Sequence, residues 1–213
     1  MNAQEILNYL EMLANHSLWV NFSMHILVFM TLFAIFSKNK EKVRLFQVAI
    51  GILLLSVTIN AVVFGNPFHA VTFGILALTS LVQLFVRKET IQITNSKRIM
   101  AIALFFIFMG LWYPEFVDKN AFLLLVVSPV GVIACPTLLT TIGLLTLIMP
   151  SVNKFQYLIT IIMGIVYGVL GVFVFKVYLD ITLLIFALYA GSLYFRGLRQ
   201  AKSRTVICSP AAK

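Results

Sequence analysis

The sequence predicts an all-α protein, a polytopic bundle of about seven transmembrane helices. Two features of the composition indicate this: 61% of the 213 residues are hydrophobic and only 11% are charged. A water-soluble domain of this length could not bury so much apolar surface. The third feature is the pattern, because the apolar residues form separate runs, each near the ~20 residues needed to cross a bilayer.

The N-terminal segment, Met1 to Ser17, predicts a short helix that lies in the membrane interface. Ile6, Leu10 and Leu13 recur at helical spacing, and polar residues occupy the opposite face. The segment contains no Lys or Arg. A signal peptide needs a basic N-terminal region, so we expect none here.

Seven apolar runs follow this segment, each of roughly 15 to 21 residues. They cover 18–37, 45–65, 67–86, 99–113, 134–149, 155–175 and 178–195. We therefore assign 1–195 to a single transmembrane bundle domain. The remaining residues, 196–213, predict a basic cytoplasmic tail that is disordered.

The basic residues predict the orientation of the bundle, because Lys and Arg are retained on the cytoplasmic side. With the N-terminus outside, only Lys119 and Lys176 of the 16 basic residues fall outside. This predicts an N-out, C-in membrane protein. Cys135 and Cys208 would then lie on opposite faces, which excludes a disulfide between them.

The stretch 121–133 is apolar but too short for a crossing of its own. Counting it as an eighth span would export Lys154 and invert the C-terminal tail. Two alternatives stay open. The stretch is either a re-entrant or surface-lying segment, or the upper part of a long fifth helix that is kinked at Pro129 and Pro136.

The fifth apolar run begins with Cys135-Pro136-Thr137, which predicts a helix start at the outer surface. Proline is favoured at the first helical position, so we place Cys135 at the N-cap and Pro136 at N1. Asn66-Pro67 begins the third run in a similar way. Two helix N-termini, each with a partial positive charge, would therefore face the outer mouth of the bundle.

The orientation also gathers the polar residues on the outer side. Polar side chains at membrane depth are costly unless they are paired or face water, so we predict a polar pocket open to the extracytoplasmic side. Its candidate lining residues are His25, Asn66, His69, Glu115, Cys135, Thr137 and Asp180. The alternative is that each residue caps a helix or lies among lipid headgroups. At the same level, Trp19, Trp112, Tyr113 and Tyr178 predict an outer aromatic belt.

Glycines predict close contacts between helices, because small residues let membrane helices approach each other. The candidate packing positions are Gly74, Gly143, Gly164, Gly168 and Gly171. Packing inside the bundle is the preferred interpretation, and homodimerisation is the alternative.

The sequence predicts no cofactor and no catalytic residue. A metal ion is an open question: Cys135 and His69 are candidate ligands, since thiolate and imidazole suit Zn and Cu. The alternative is that Cys135 is a small residue at a helix start. The chain has no ATP-binding loop motif, so ATP-driven work would need a partner.

Several short motifs resemble a bacterial family of small integral membrane proteins classed only as a domain of unknown function. They are Asn15 with Trp19, Asn66-Pro67 with Phe73-Gly74, Tyr113-Pro114, and Cys135-Pro136-Thr137 with Gly143-Leu144-Leu145. The resemblance extends to about residue 195, and the Cys-Pro-Thr element is its most specific part. This chain has Ala134 where the family pattern implies proline, and 121–127 is unusually apolar. The resemblance implies the architecture and an important outer site, but no reaction.

Three classes of function fit these features. Transport or sensing of a small solute or ion through the outer pocket ranks first. An accessory or structural subunit of a membrane complex ranks second, and a thiol- or metal-dependent membrane enzyme ranks last, because the sequence has no HExxH motif and no second cysteine near Cys135.

The lipid bilayer is the expected partner of the apolar helix faces. Self-association into a homo-oligomer or contact with a partner membrane subunit are further expectations. Although the net charge is +9, the positive-inside rule accounts for the basic residues, and we predict no nucleic-acid binding.

Overall fold

The computed structural model describes residues 3–37, 42–86 and 91–207, and the regular secondary structure in this part of the chain is all helical. Its α-helices are α1 (Ala3–His16), α2 (Leu18–Phe36), α3 (Lys42–Val63), α4 (Pro67–Val86), α5 (Lys97–Leu111), α6 (Ala121–Val127), α7 (Ala134–Leu147), α8 (Lys154–Val169) and α9 (Ile181–Ile207). The basic connections at 38–41 and 87–90, and Cys208, lie outside the described residues. The predicted all-α fold is confirmed.

Five helical stretches among the described residues are long and apolar enough to cross a membrane. They are Leu18–Phe36, Lys42–Val63, Pro67–Val86, Lys154–Phe175 and Tyr178–Leu198. Each corresponds to one of the seven predicted runs. The helices in the other two runs are shorter, since α5 has 15 residues and α7 has 14.

Helix α7 is the centre of the bundle. It contacts α3, α5, α8 and α9, and each of its residues except Cys135 is buried. Four of its 14 residues are threonine, and small and hydroxyl side chains are enriched where membrane helices pack against one another. The single exception, Cys135, is partly exposed to a cavity described below.

The start of α7 differs from the prediction. The helix begins at Ala134, with Ile133 as its N-cap, so Cys135 and Pro136 are its second and third residues. The cause is the side chain of Thr137, which accepts a hydrogen bond from the Gly131 amide (2.7 Å) and donates one to the Ile133 carbonyl (2.6 Å). These bonds close the helical turn before the chain reaches the cysteine.

The stretch 121–133 is not the upper part of a kinked fifth helix. Asn120 caps the separate short helix α6 by accepting from the Leu123 amide at 3.0 Å, and α6 ends at Val127. Between α6 and α7 the backbone leaves the helical conformation, and Gly131 adopts a φ of +79°. Glycine tolerates this left-handed conformation, which other residues rarely adopt.

Helix α1 forms where the sequence predicts it, but its apolar face packs on protein. Leu13 and Ala14 are buried in a cluster with residues of the α5–α7 connection. The side chain of Asn21 in α2 donates to the carbonyls of Ala14 and Val127, each at 3.0 Å. These contacts hold α1 against one end of the bundle.

The structure describes the first part of the segment 196–213, which the sequence predicts to be a disordered tail. Helix α9 continues to Ile207, so 196–207 are helical. Residues 196–207 contain no proline and one glycine, so the helix is not interrupted there. Residues 208–213 lie outside the described part of the chain.

The candidate packing glycines divide into tight and ordinary contacts. A Cβ at Gly168 would lie 3.0 Å from the backbone nitrogen of Leu184, and one at Gly164 would lie 3.1 Å from the Cβ of Ala187. Gly143 has similarly little room against α5. At Gly74 the nearest atom of the facing helix would be 3.6 Å away, which is normal van der Waals contact.

At the end of the bundle remote from α1, a buried polar cluster joins three helices. Gln47 of α3 and Gln156 of α8 are hydrogen-bonded through their amides, and the Gln156 amide also donates to the hydroxyl of Ser80 in α4 at 3.2 Å. The Ser80 hydroxyl donates to Gln47 Oε1 at 2.9 Å. All three side chains are buried. Such bonds between membrane helices act where no hydrophobic effect operates.

Candidate functional site

A cavity of about 580 Å³ lies at the end of the bundle that α1 covers. The ends of α3 and α8 and the starts of α4 and α7 surround it, and α1 closes one side with Ile6, Tyr9 and Leu10. Most of its wall is apolar. A concave, mainly apolar site with a few convergent polar groups is typical of small-molecule binding.

The most connected polar group of the cavity is the carboxyl of Asp180, which is only 2% exposed. Tyr113 donates its phenolic hydrogen to Asp180 Oδ1. The thiol of Cys135 donates to Asp180 Oδ2, with 3.2 Å between Sγ and the oxygen. The carboxyl group thus fixes the orientation of the thiol and links α7 to the α8–α9 connection.

The α8–α9 connection is shaped to bring Asp180 to this position. Helix α8 continues into a wider π-helical turn, Leu170–Phe175, and Lys176 then takes a left-handed conformation with a φ of +61°. The Val177 amide returns to the Gly171 carbonyl at 2.9 Å. A Cβ on Gly171 would overlap the carboxyl of Asp180, so glycine is required there.

The start of α4 and helix α1 contribute three further polar residues to the cavity wall: Asn66, His69 and Tyr9. Asn66 caps α4 by accepting from the His69 amide at 3.1 Å. The His69 ring packs edge-on against Tyr167, with 5.0 Å between ring centroids. His69 Nδ1 and the hydroxyl of Tyr9 are buried and have no hydrogen-bond partner among the described residues. A buried polar atom without a partner is costly, and a bound ligand can supply one.

Four of the seven residues predicted for the pocket line this one cavity: Asn66, His69, Cys135 and Asp180. The remaining three do not. His25 is buried, with its Nδ1 2.8 Å from the Asn21 carbonyl and its Nε2 3.0 Å from the Leu111 carbonyl. It therefore links α2 to the end of α5.

The other two residues also serve elsewhere. Thr137 is buried within the turn that starts α7. Glu115 lines a separate groove with Glu11 and Asp118. The next residue, Phe116, lines the cavity and has a φ of 72°.

Tyr113 belongs to the site through its hydrogen bond to Asp180, although the sequence pattern places it in the aromatic belt. The aromatic-belt pattern places it beside Trp19 and Tyr178, which are 83% and 75% exposed, but Tyr113 is 1% exposed. Its partner Asp180 is 67 positions away in the chain. The one sequence signal was the Tyr113-Pro114 motif within the resemblance described above.

The two candidate metal ligands, Cys135 and His69, lie in the same cavity wall. Cys135 and His69 both line the cavity, but the described residues contain no group of three or more His, Cys, Asp or Glu side chains placed to hold a metal ion. The thiol of Cys135 is engaged with Asp180 instead.

Comparisons of this chain with protein-family models, with curated proteins and with solved structures found no match.

Proposed function

We propose that this chain is a multi-pass protein of the bacterial inner membrane that binds a small solute or ion in the cavity, for transport or sensing. The observation that carries the proposal is the convergence of Asp180, Cys135, His69 and Asn66 on one cavity with mainly apolar walls. The unpartnered His69 Nδ1 and Tyr9 hydroxyl offer hydrogen bonds that a solute would complete.

The proposal includes seven spans, with α5 and α7 as crossings beside the five longer helices. Cys135 near the start of α7 lines the cavity together with Phe64 at the end of α3. At the other end of α7, the Leu147 carbonyl accepts from the Thr94 amide just before α5 begins. Both short helices therefore run along the bundle.

The proposed orientation is N-out and C-in, which makes the cavity extracytoplasmic. It follows from the distribution of the basic residues. In intact cells and in a Cys135→Ser, Cys208→Ser background, a cysteine introduced at Asn120 should react with a membrane-impermeant maleimide, and one introduced at Ser96 should react only after lysis. Labelling of the Ser96 variant without lysis would reverse the orientation, and the cavity would then face the cytoplasm.

The native thiol provides the test of the binding site. In a Cys208→Ser background, Cys135 is the remaining cysteine of the sequence. We expect maleimide to label Cys135 slowly in the folded protein, and a solute that occupies the cavity to slow the reaction further and to raise the melting temperature. A panel of organic cations, amino acids, sugars and metal salts would identify the class.

The matched control is a cysteine at Asn120 in a Cys135→Ser, Cys208→Ser background, because Asn120 is exposed and outside the cavity. Solutes should leave its labelling rate unchanged. Complete protection of Cys135 in the absence of solute, with normal labelling at residue 120, would mean that the cavity is closed to water, and the proposed binding site would be rejected.

A further inference from the structure

Among the described residues, the carboxyl of Asp180 accepts its side-chain hydrogen bonds from neutral groups. The cavity lining contains no Lys or Arg among the described residues. Both carboxyl oxygens accept hydrogen bonds, but the donors, Tyr113 and Cys135, are neutral. Taking a charge out of water costs several kcal/mol, so buried charges are normally paired. The cavity therefore has an uncompensated acidic group in its wall.

The starts of two helices do not turn the cavity into an anion site. A helix N-terminus favours anions, but Asp180 already receives the hydrogen bond from Cys135 in the first turn of α7. The start of α4 is capped by the side chain of Asn66. An anion approaching the start of α7 would meet the carboxyl of Asp180, which repels it.

Aromatic rings form much of the remaining wall. They belong to Tyr9, Phe64, Phe68, Phe116, Tyr167 and Phe175. The faces of aromatic rings attract cations, and quaternary ammonium groups are recognised in this way. A small hydrated metal ion would need several oxygen ligands, which these rings do not provide.

We propose that the cavity binds an organic cation, a quaternary ammonium or a protonated amine with apolar substituents. The positive group lies near Asp180, and the apolar body packs against the aromatic rings. The volume of about 580 Å³ lies within the range of sites for small drug-sized molecules. This assignment rests on the proposed function and specifies the solute of the same site.

The test compares three probes of similar shape and different charge on the purified full chain in lipid nanodiscs. The probes are benzyltrimethylammonium, its net-neutral analogue N,N-dimethylbenzylamine N-oxide, and the anion phenylmethanesulfonate. Isothermal titration calorimetry measures each affinity, and protection of Cys135 from maleimide locates the binding. We expect the cation to bind about tenfold or more tightly than the N-oxide, and the anion not to bind.

Asp180→Asn removes the charge while keeping the size of the side chain. It should weaken cation binding by about tenfold and leave binding of the N-oxide unchanged. Asp118→Asn is the matched control, because Asp118 lies outside the cavity, and it should change neither affinity. The comparison of probes on the native chain remains decisive if the Asp180 variant does not fold.

The possible results separate the two proposals. Equal affinity for the cation and the N-oxide, both protecting Cys135, would overturn the charge assignment and leave a solute-binding cavity. Preference for the anion would also overturn it. Protection of Cys135 by some other solute, with no binding of the cation, would reject the organic cation alone. If maleimide cannot reach Cys135 even without any solute, both proposals fail.

Discussion

Gly168→Leu is expected to lower the free energy of unfolding by about 1 to 3 kcal/mol, the usual cost of overpacking a tight core. A side chain at Gly168 would meet Leu184 at its backbone nitrogen and Cα, each 3.0 Å from the new Cβ. Backbone atoms of a packed helix cannot move aside as a flexible side chain can. Thermal unfolding in one fixed detergent, followed by tryptophan fluorescence, measures the loss.

The matched control uses alanine at two glycines in the same bundle. Gly168→Ala should also lower the melting temperature, because the clash involves the Cβ itself. Gly74→Ala should leave the melting temperature unchanged or raise it slightly, since Thr58 Cγ2 would lie 3.6 Å away and alanine is the better helix former. A Gly168→Leu protein that melts with the native one would place this face of α8 against lipid.

Gln156→Met is expected to destabilise the bundle by about 1 to 3 kcal/mol, the cost of leaving buried polar groups unsatisfied. Methionine has a similar length but cannot replace the hydrogen bonds to Gln47 and Ser80. The Gln47 amide Nε2 would then lose its partner in a fully buried position. Unfolding by denaturant in mixed micelles measures the change.

The double variant Gln47→Met, Gln156→Met distinguishes an unsatisfied group from a lost contact. It removes both amides, and the Ser80 hydroxyl can still donate to the Gln47 backbone carbonyl at 3.1 Å. Its destabilisation should therefore be smaller than the sum of the two single effects. Gln92→Met, at an exposed position, should have little effect. Strict additivity would show that the amides do not act as a unit.

The helices were predictable because each depends on a local property of the sequence. The long apolar runs gave α2, α3, α4, α8 and α9, since a membrane span requires only composition and length. Asn66 before Pro67 predicted the capped start of α4, because an N-cap depends only on neighbouring residues. The distribution of Lys and Arg predicts which residues lie at the outer end of the bundle. Four of the residues selected in this way line the cavity: Asn66, His69, Cys135 and Asp180.

Contacts between distant residues were not predictable in this way. The bond from Tyr113 to Asp180 depends on how α5 and the α8–α9 connection are placed in space, and no periodicity encodes that. The observed start of α7 precedes the predicted one because the Thr137 side chain bonds to the Gly131 amide and the Ile133 carbonyl. His25 lay at the right depth for the pocket, yet it faces α5, because depth along a helix does not specify its direction around the axis.

The shortness of α7 has an electrical consequence. Its 14 residues extend about 21 Å, about two thirds of a hydrocarbon core of roughly 30 Å. If this shortfall lies on the cavity side, a charge beside Asp180 sits about a third of the way across the transmembrane field. That displacement is worth about 0.8 kcal/mol per 100 mV for one elementary charge. An inside-negative membrane would therefore draw a cation into the cavity, and its occupancy would report the voltage.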